Sequence, residues 1–274
     1  MVSYKRILTV QDISCLGKCS MTVALPVLSA CGHETCILPS KLLSTHTGGF
    51  GSPAVQDLSA GMGKVLDHWQ SQGVLFDAVY TGYLGSVNAI QAVHRIVDTM
   101  LAPDGVFIAD PAMADHGKLY SGLDETYAQE MIRLCNRADV ILPNLTEAAM
   151  MTGLPYRENV DGVLEMLAGL NEKNVVLTGV SGNLEETGVA VKTPKGITWH
   201  SHKRIDCSYH GTGDLFAACF TGVWQRGLPL EEAAAIAAEF TYRCVMETWQ
   251  DPFHWYGVRF ESVLPELIQM LADK

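Results

Sequence analysis

The chain has 274 residues and a formal net charge of −11, a balance that argues against nucleic acid or an anionic membrane surface as partner. Its 48% hydrophobic and 18% charged residues give the profile of a globular protein with enough chain to bury a core. No stretch approaches the roughly 18 uncharged apolar residues of a membrane span, and the apolar run in "MVSYKRILTVQD" is too short for a signal-peptide core. Cysteines stand at 15, 19, 31, 36, 135, 207, 219 and 244 with no C-x-x-C pair. Reduced thiols in a cytoplasmic protein are the expectation.

In chain order, "RILTVQ" (6–11) reads as a strand and about 20–31 as a helix. "ETCILP" (34–39) is a second strand, followed by a helix over about 54–71. "DAVYTG" (77–82), a helix over about 86–101 and "GVFIAD" (105–110) continue the alternation. Then come a helix over about 124–137, the strand "ADVILPN" (138–144), helices over about 145–152 and 158–171, and the strand "NVVLTG" (174–179). Most of these strands are continuously apolar, as strands covered on both faces are. Strands separated by helices imply right-handed crossovers and a mostly parallel sheet. "TGVAVKTPKGITWHSH" (187–202) differs: two short runs flank the turn signal "TPKG", which predicts an edge hairpin. Helices over about 212–226, 230–248 and 260–272 close a chain with no repeat or linker, read as one domain spanning 1–274.

In an open α/β sheet, ligands bind beyond the carboxyl ends of the strands. There the sequence places Asp12, Ser40, Tyr83, Asp110, Asn144 with Glu147, and Thr178. The most informative stretch is "SYHGTGDLFAACFTG" (208–222), a glycine-rich turn running into an apolar helix. Gly211 and Gly213 permit backbone conformations closed to other residues, and free N–H groups at a helix start form an anion site. No Walker lysine follows, and the turn after the first strand lacks G-x-G-x-x-G. Asp214 is then either a carboxylate stabilising a helix dipole or a base accepting the proton of an alcohol that attacks a phosphoryl group. Asn144 with Glu147 three residues on is also nearly a capping box.

"GTGDLFAA" is similar to the anion-hole and catalytic-base motif of the ribokinase superfamily. "LLSTHTGGF" (42–50) resembles the substrate loop of the vitamin B6 kinases, the pyridoxal and pyridoxamine kinases. "TGYLGS" (81–86), "ADPAM" (109–113) and "DVILPNLTEAAMMTG" (139–153) fall in that family's order and spacing, so the resemblance covers nearly the whole chain. It implies a ribokinase-like α/β/α fold of three layers, with a mostly parallel central sheet, helices on both faces and an edge hairpin. It implies ATP-dependent phosphorylation of the 5′-hydroxyl of pyridoxal, pyridoxamine or pyridoxine.

By the same resemblance, Asp214 is the base, and the backbone of Gly211, Thr212, Gly213 and Asp214 is the anion hole. Asn144 and Glu147 match an N-x-x-E motif that organises magnesium and its waters, and Asp110 matches an aspartate near the phosphates and the cation. Thr178 matches a nucleotide phosphate contact, while His46, Thr47 and Tyr83 match residues around the pyridine ring. A monovalent cation is compatible with this set, and family members are commonly homodimers. Asp12 departs from the pattern, since many members carry a small hydroxyl residue there. A carboxylate in its place could pair with a protonated ring nitrogen or an amine substituent. His210 is also similar to the hydroxymethylpyrimidine phosphate kinases, whose motif usually has cysteine where Asp214 stands. A vitamer- or nucleotide-binding sensor without turnover is the alternative of another class. His200 and His202 read as ordinary edge residues, and "TWQDPFHWYG" (248–257) as packing or a subunit contact.

Overall fold

The computed structural model describes residues 4–157, 159–170, 174–181, 185–251, 253–272 and 274. β1 (Arg6–Ser14) shows how the sheet is made. Leu8 and Val10 point into one helical layer and Ile7 into the other, all fully buried. A strand with both faces covered has no polar side to show, which is why these runs are continuously apolar.

After β1 the chain forms α1 (Met21–Ala30), β2 (Glu34–Leu43), β3 (Val55–Asp57), α2 (Ser59–Ser71), β4 (Phe76–Thr81), α3 (Val87–Thr99) and β5 (Leu101–Ala109). A small separate hairpin, β6 (Ala114–Asp115) and β7 (Lys118–Leu119), precedes α4 (Glu125–Cys135) and β8 (Val140–Ile141). Next come α5 (Leu145–Thr152), α6 (Val160–Gly169), β9 (Asn174–Val180), β10 (Glu186–Thr193) and β11 (Gly196–Lys203). Then follow α7 (Thr212–Gln225), α8 (Leu230–Trp249) and α9 (Leu264–Ala272).

The strand order of the main sheet is β11-β10-β9-β8-β5-β4-β1-β2-β3. β2, β1, β4, β5, β8 and β9 are mutually parallel. β3 at one edge and the β10–β11 hairpin at the other are antiparallel. Apolar residues of α2 to α6 cover one face, and those of α1, α7, α8 and α9 cover the other. The expected three-layer α/β/α arrangement with an edge hairpin is therefore present. All eight cysteines are free thiols. Among the described residues no helix is long and apolar enough to cross a membrane.

Several boundaries differ from the sequence reading. The helix expected from 54 begins at Ser59, because Val55–Asp57 pairs with Lys41–Leu43 as β3 and the Asp57 carboxylate accepts the Ser59 N–H at 2.8 Å. The strand expected over 138–144 shrinks to Val140–Ile141; Pro143 offers no N–H to a ladder, and pairing resumes only at the Asn144–Thr178 bridge. The last helix starts at Leu264 rather than 260. Residues 158 and 171, the expected ends of one helix, lie outside the described residues.

Candidate active site

The carboxyl ends of the parallel strands open into a cavity of about 830 Å³. That is ample for a nucleotide and a small ring together. Asp12, His46, Thr47, Tyr83, Asp110, Asn144, Glu147, Thr178 and the Gly211–Asp214 turn all line it. Of the polar residues expected at this edge, Ser40 alone does not reach the cavity. It is fully buried, and its hydroxyl donates to the Tyr83 carbonyl at 3.5 Å.

The glycine-rich turn sits at the mouth of α7. Gly211, the N-cap, has φ +81°, and a Cβ there would lie 1.7 Å from the Lys18 carbonyl oxygen, so glycine is required twice over. Gly213 is different: its backbone is not in the left-handed region, and a Cβ would meet no protein atom. No side chain caps this helix start, so backbone N–H groups at the positive end of the dipole are left facing the cavity. Asp214 stands in this first turn, partly buried. Burial pushes its carboxyl up to about 6, with a contribution from the Asp12 charge, against the opposing Ser20 backbone amide.

Asn144 and Glu147 do form a capping box on α5. Asn144 Oδ1 accepts the Glu147 N–H at 2.9 Å, and Glu147 Oε2 accepts the Asn144 N–H at 3.0 Å. The other Glu147 oxygen accepts N–H groups of Met113 and Ala114, at 2.8 and 3.3 Å. Asp110, at the end of β5, accepts the Ala112 N–H at 3.1 Å through Oδ1. Burial raises both carboxyls, and each carboxylate is a neighbour of further negative charge: Glu147 and Asp214 for Asp110, Asp115 for Glu147. Among the described residues no group of three His, Cys, Asp or Glu could by itself hold a metal ion. Thr178 donates to the Pro143 carbonyl at 3.4 Å, tying the ends of β8 and β9.

His46 is buried with both ring nitrogens engaged. Nε2 meets the Tyr256 carbonyl at 3.1 Å, and Nδ1 accepts the Gly48 N–H at 3.0 Å. Only its ring surface remains for a ligand, and desolvation keeps it below the usual imidazole range. Phe50 and His210 pack on it at 5.0 and 4.8 Å. Trp255 in turn packs on Phe50 at 4.7 Å. The C-terminal aromatic run thus braces the 42–50 loop. Thr47 is exposed at the cavity, and the Tyr83 ring stands 6.4 Å from that of Tyr120.

Other lining residues had no clear sequence signal. Cys19 and Ser20 enter from the start of α1. Lys118 comes from the β6–β7 hairpin, whose turn is His116–Gly117 (φ +49° and +76°), and Tyr120 is the residue that follows it. His202, an ordinary edge residue by its sequence context, lines the cavity, and its ring packs 4.7 Å from Tyr242. The alternation of His200 and His202 along β11 was the available clue. Both lie on the half-buried face of the strand.

A family model described as "Phosphomethylpyrimidine kinase" matches residues 64–254. A pyridoxal kinase from Arabidopsis thaliana is 28% identical over 262 residues, covering 90% of this chain and 83% of its own. The crystal structure of a pyridoxal kinase from Lactobacillus plantarum superimposes with a TM-score of 0.91 at 34% identity, over 98% of each chain. A Bacteroides thetaiotaomicron structure, named for the phosphomethylpyrimidine kinases and crystallised with pyridoxal, gives 0.90 at 35% identity, over 97% of this chain and 96% of that one. By these similarities, spread over almost its whole length, the chain belongs to the pyridoxal kinase family of ribokinase-like α/β proteins.

Proposed function

We propose that this chain is one catalytic unit that transfers the γ-phosphoryl group of ATP to the 5′-hydroxyl of pyridoxal, pyridoxamine or pyridoxine. The observation that carries the reading is the pairing of Asp214 with the uncapped start of α7 inside one cavity. An alcohol needs a base as it attacks, and Asp214, poised near 6, is ionised at neutral pH yet basic enough to take the proton. The transferred phosphoryl group carries charge on its equatorial oxygens, and the Gly211–Asp214 N–H groups meet that charge with no reorganisation. Gly213, with open space where a Cβ would stand, lets an anion approach the backbone closely.

The pyridine ring takes the end lined by Asp12, His46, Thr47 and Tyr83, where imidazole and phenol surfaces suit a flat heteroaromatic. The nucleotide takes the end lined by Thr178, Val189, His202 and Tyr242. Asp110 and Glu147 suit magnesium, since they are hard oxygen donors with no cationic partner among the described ion pairs. Asp110 would hold it with Glu147 and Asn144 ordering its waters, since both Glu147 oxygens already accept backbone N–H groups. Bound there, magnesium would neutralise phosphate charge.

A hydroxymethylpyrimidine kinase is the second reading, favoured by the matching family model and by His210 at the cavity. Incubation with ATP, magnesium and a panel of pyridine and pyrimidine alcohols, read by mass spectrometry, decides between them. Phosphorylated B6 vitamers are expected. A phosphorylated pyrimidine alone overturns the assignment, and binding without any product marks a sensor.

A further inference from the structure

Asp12 closes the continuously buried run Ile7–Asp12 of β1 and is 4% exposed, yet its carboxylate lines the cavity. Its partners are neutral. The Ser14 hydroxyl donates to Oδ2 at 3.1 Å, and the Ser20 hydroxyl also favours the ionised form. None of the described ion pairs includes Asp12. The nearest cationic influence is Lys41, whose ammonium lies over the Tyr83 ring, 5.9 Å from its centroid, and acts on Asp12 as the weakest of its stabilising effects. The neighbouring Cys19 thiol and Tyr83 phenol are held neutral, each with Asp12 among the causes. A carboxylate walled off in this way is costly until a positive charge comes to it, and the only direction left open is the cavity.

Ser20 fixes where that charge must lie. Its φ of +49° and ψ of −128° are strained for a residue with a side chain. In that conformation its backbone amide serves Asp214 while its hydroxyl serves Asp12. The two carboxylates thus line the cavity on either side of Ser20, near enough for the Asp12 charge to act on Asp214. If Asp214 takes the proton of the 5′-hydroxyl, Asp12 stands beside whatever group neighbours that hydroxymethyl on the ring. On a B6 vitamer this is the 4-substituent, attached to the adjoining ring carbon; the ring nitrogen lies on the far side of C6. The 4-substituent is an ammonium in pyridoxamine, an alcohol in pyridoxine and an aldehyde in pyridoxal.

We infer that Asp12 is a specificity-determining residue that pairs with a primary ammonium beside the reacting hydroxymethyl group, making the aminomethyl vitamer the preferred substrate. This rests on the kinase reading above and adds the choice among its substrates. A charge-assisted pair in a desolvated pocket discriminates against a neutral isostere, which leaves the carboxylate unpaired. A pairing with the ring nitrogen would give no such choice, since all three vitamers carry it.

The test compares pyridoxamine with pyridoxine, its neutral hydroxymethyl counterpart, by kcat/KM and by calorimetric Kd. The wild type is expected to favour pyridoxamine about tenfold or more, and Asp12→Asn to collapse that ratio by a similar factor, whatever happens to the absolute rates. An unchanged ratio in a folded Asp12→Asn overturns the inference while leaving the kinase reading intact. Should the variant not fold, the wild-type affinities decide alone: equal Kd values for the two vitamers overturn it. Absence of phosphorylated product from every vitamer removes the kinase reading and this inference together.

Discussion

The base role proposed for Asp214 makes opposite demands on stability and turnover. Burial lifts its carboxyl from 3.8 to about 6, so the folded state binds a proton more tightly than the unfolded chain. Stability therefore falls as pH rises through the window from about 4 to 6, and the whole penalty is present at neutral pH. Asp214→Asn removes that charge while keeping size and much of the hydrogen bonding. It should melt at or above the wild-type temperature at pH 8, where a residue that merely served the helix dipole would cost roughly 0.3–1 kcal/mol. Turnover should fall about 10²–10⁴-fold for loss of a positioned base. The acid limb of the wild-type kcat/KM profile, near pH 6, should vanish with it. Melts and kinetics on one preparation check both signs. A variant that turns over within a few-fold of wild type would remove Asp214 as the base.

At the scale of elements, α5 carries the same ambiguity, and its geometry offers a way to separate the two roles. Glu147 accepts three backbone N–H groups from inside the fold, so its oxygens serve structure whether or not a cation is near. Glu147→Gln keeps an acceptor oxygen and drops the charge, which burial already disfavours. Because the amide nitrogen faces a backbone N–H that a carboxylate oxygen now accepts, the melting temperature should fall, while the magnesium concentration for half-maximal turnover rises. Asn144→Ala should lose about 1 kcal/mol of stability with the cap. A Glu147→Gln protein with wild-type magnesium dependence would leave capping as the function of the motif.

These elements also show where sequence is informative. Periodicity found the strands and helices of the two core layers, because burial on both faces of a strand or one face of a helix leaves a regular trace. It missed β3 and the β6–β7 hairpin, whose runs of two or three residues are too short to carry a period. The same limit hid much of the cavity wall. Asp110, Asn144 and Asp214 stand where regular elements begin or end and could be placed from the sequence. Cys19, Ser20 and Tyr120 are brought in by loops whose course is set by tertiary contacts, such as the Lys18 carbonyl against Gly211. Ser20 is the clearest case, since nothing in "GKCSMT" announces a positive φ.

Across the whole molecule, the cavity spans the sheet. Its lining runs from Asp12 on β1 and Leu43 on β2 to Val189 on β10 and His202 on β11, at the opposite edge. Asp214 and the start of α7 lie between, which is where the groups to be joined must meet if one ligand enters from each end. The arrangement predicts that damage at one end is felt by one ligand. At the β11 end, the His202 and Tyr242 rings stand 4.7 Å apart beside Val189, Ala238 and Val245, a wall suited to a flat nucleotide base. His202 is half-buried on a strand that pairs in regular register with β10, and its Nδ1 meets the Lys203 carbonyl at 3.2 Å. Removing the ring leaves the strand pairing untouched. His202→Ala should therefore raise the KM for ATP several-fold, as loss of one aromatic contact worth about 1 kcal/mol would. The KM for the vitamer at saturating ATP, and kcat, should stay within about twofold, since the interaction is equal in ground and transition states. Steady-state kinetics with each substrate varied in turn make the measurement. A variant whose vitamer KM rises with ATP KM unchanged would reverse the assignment of the two ends.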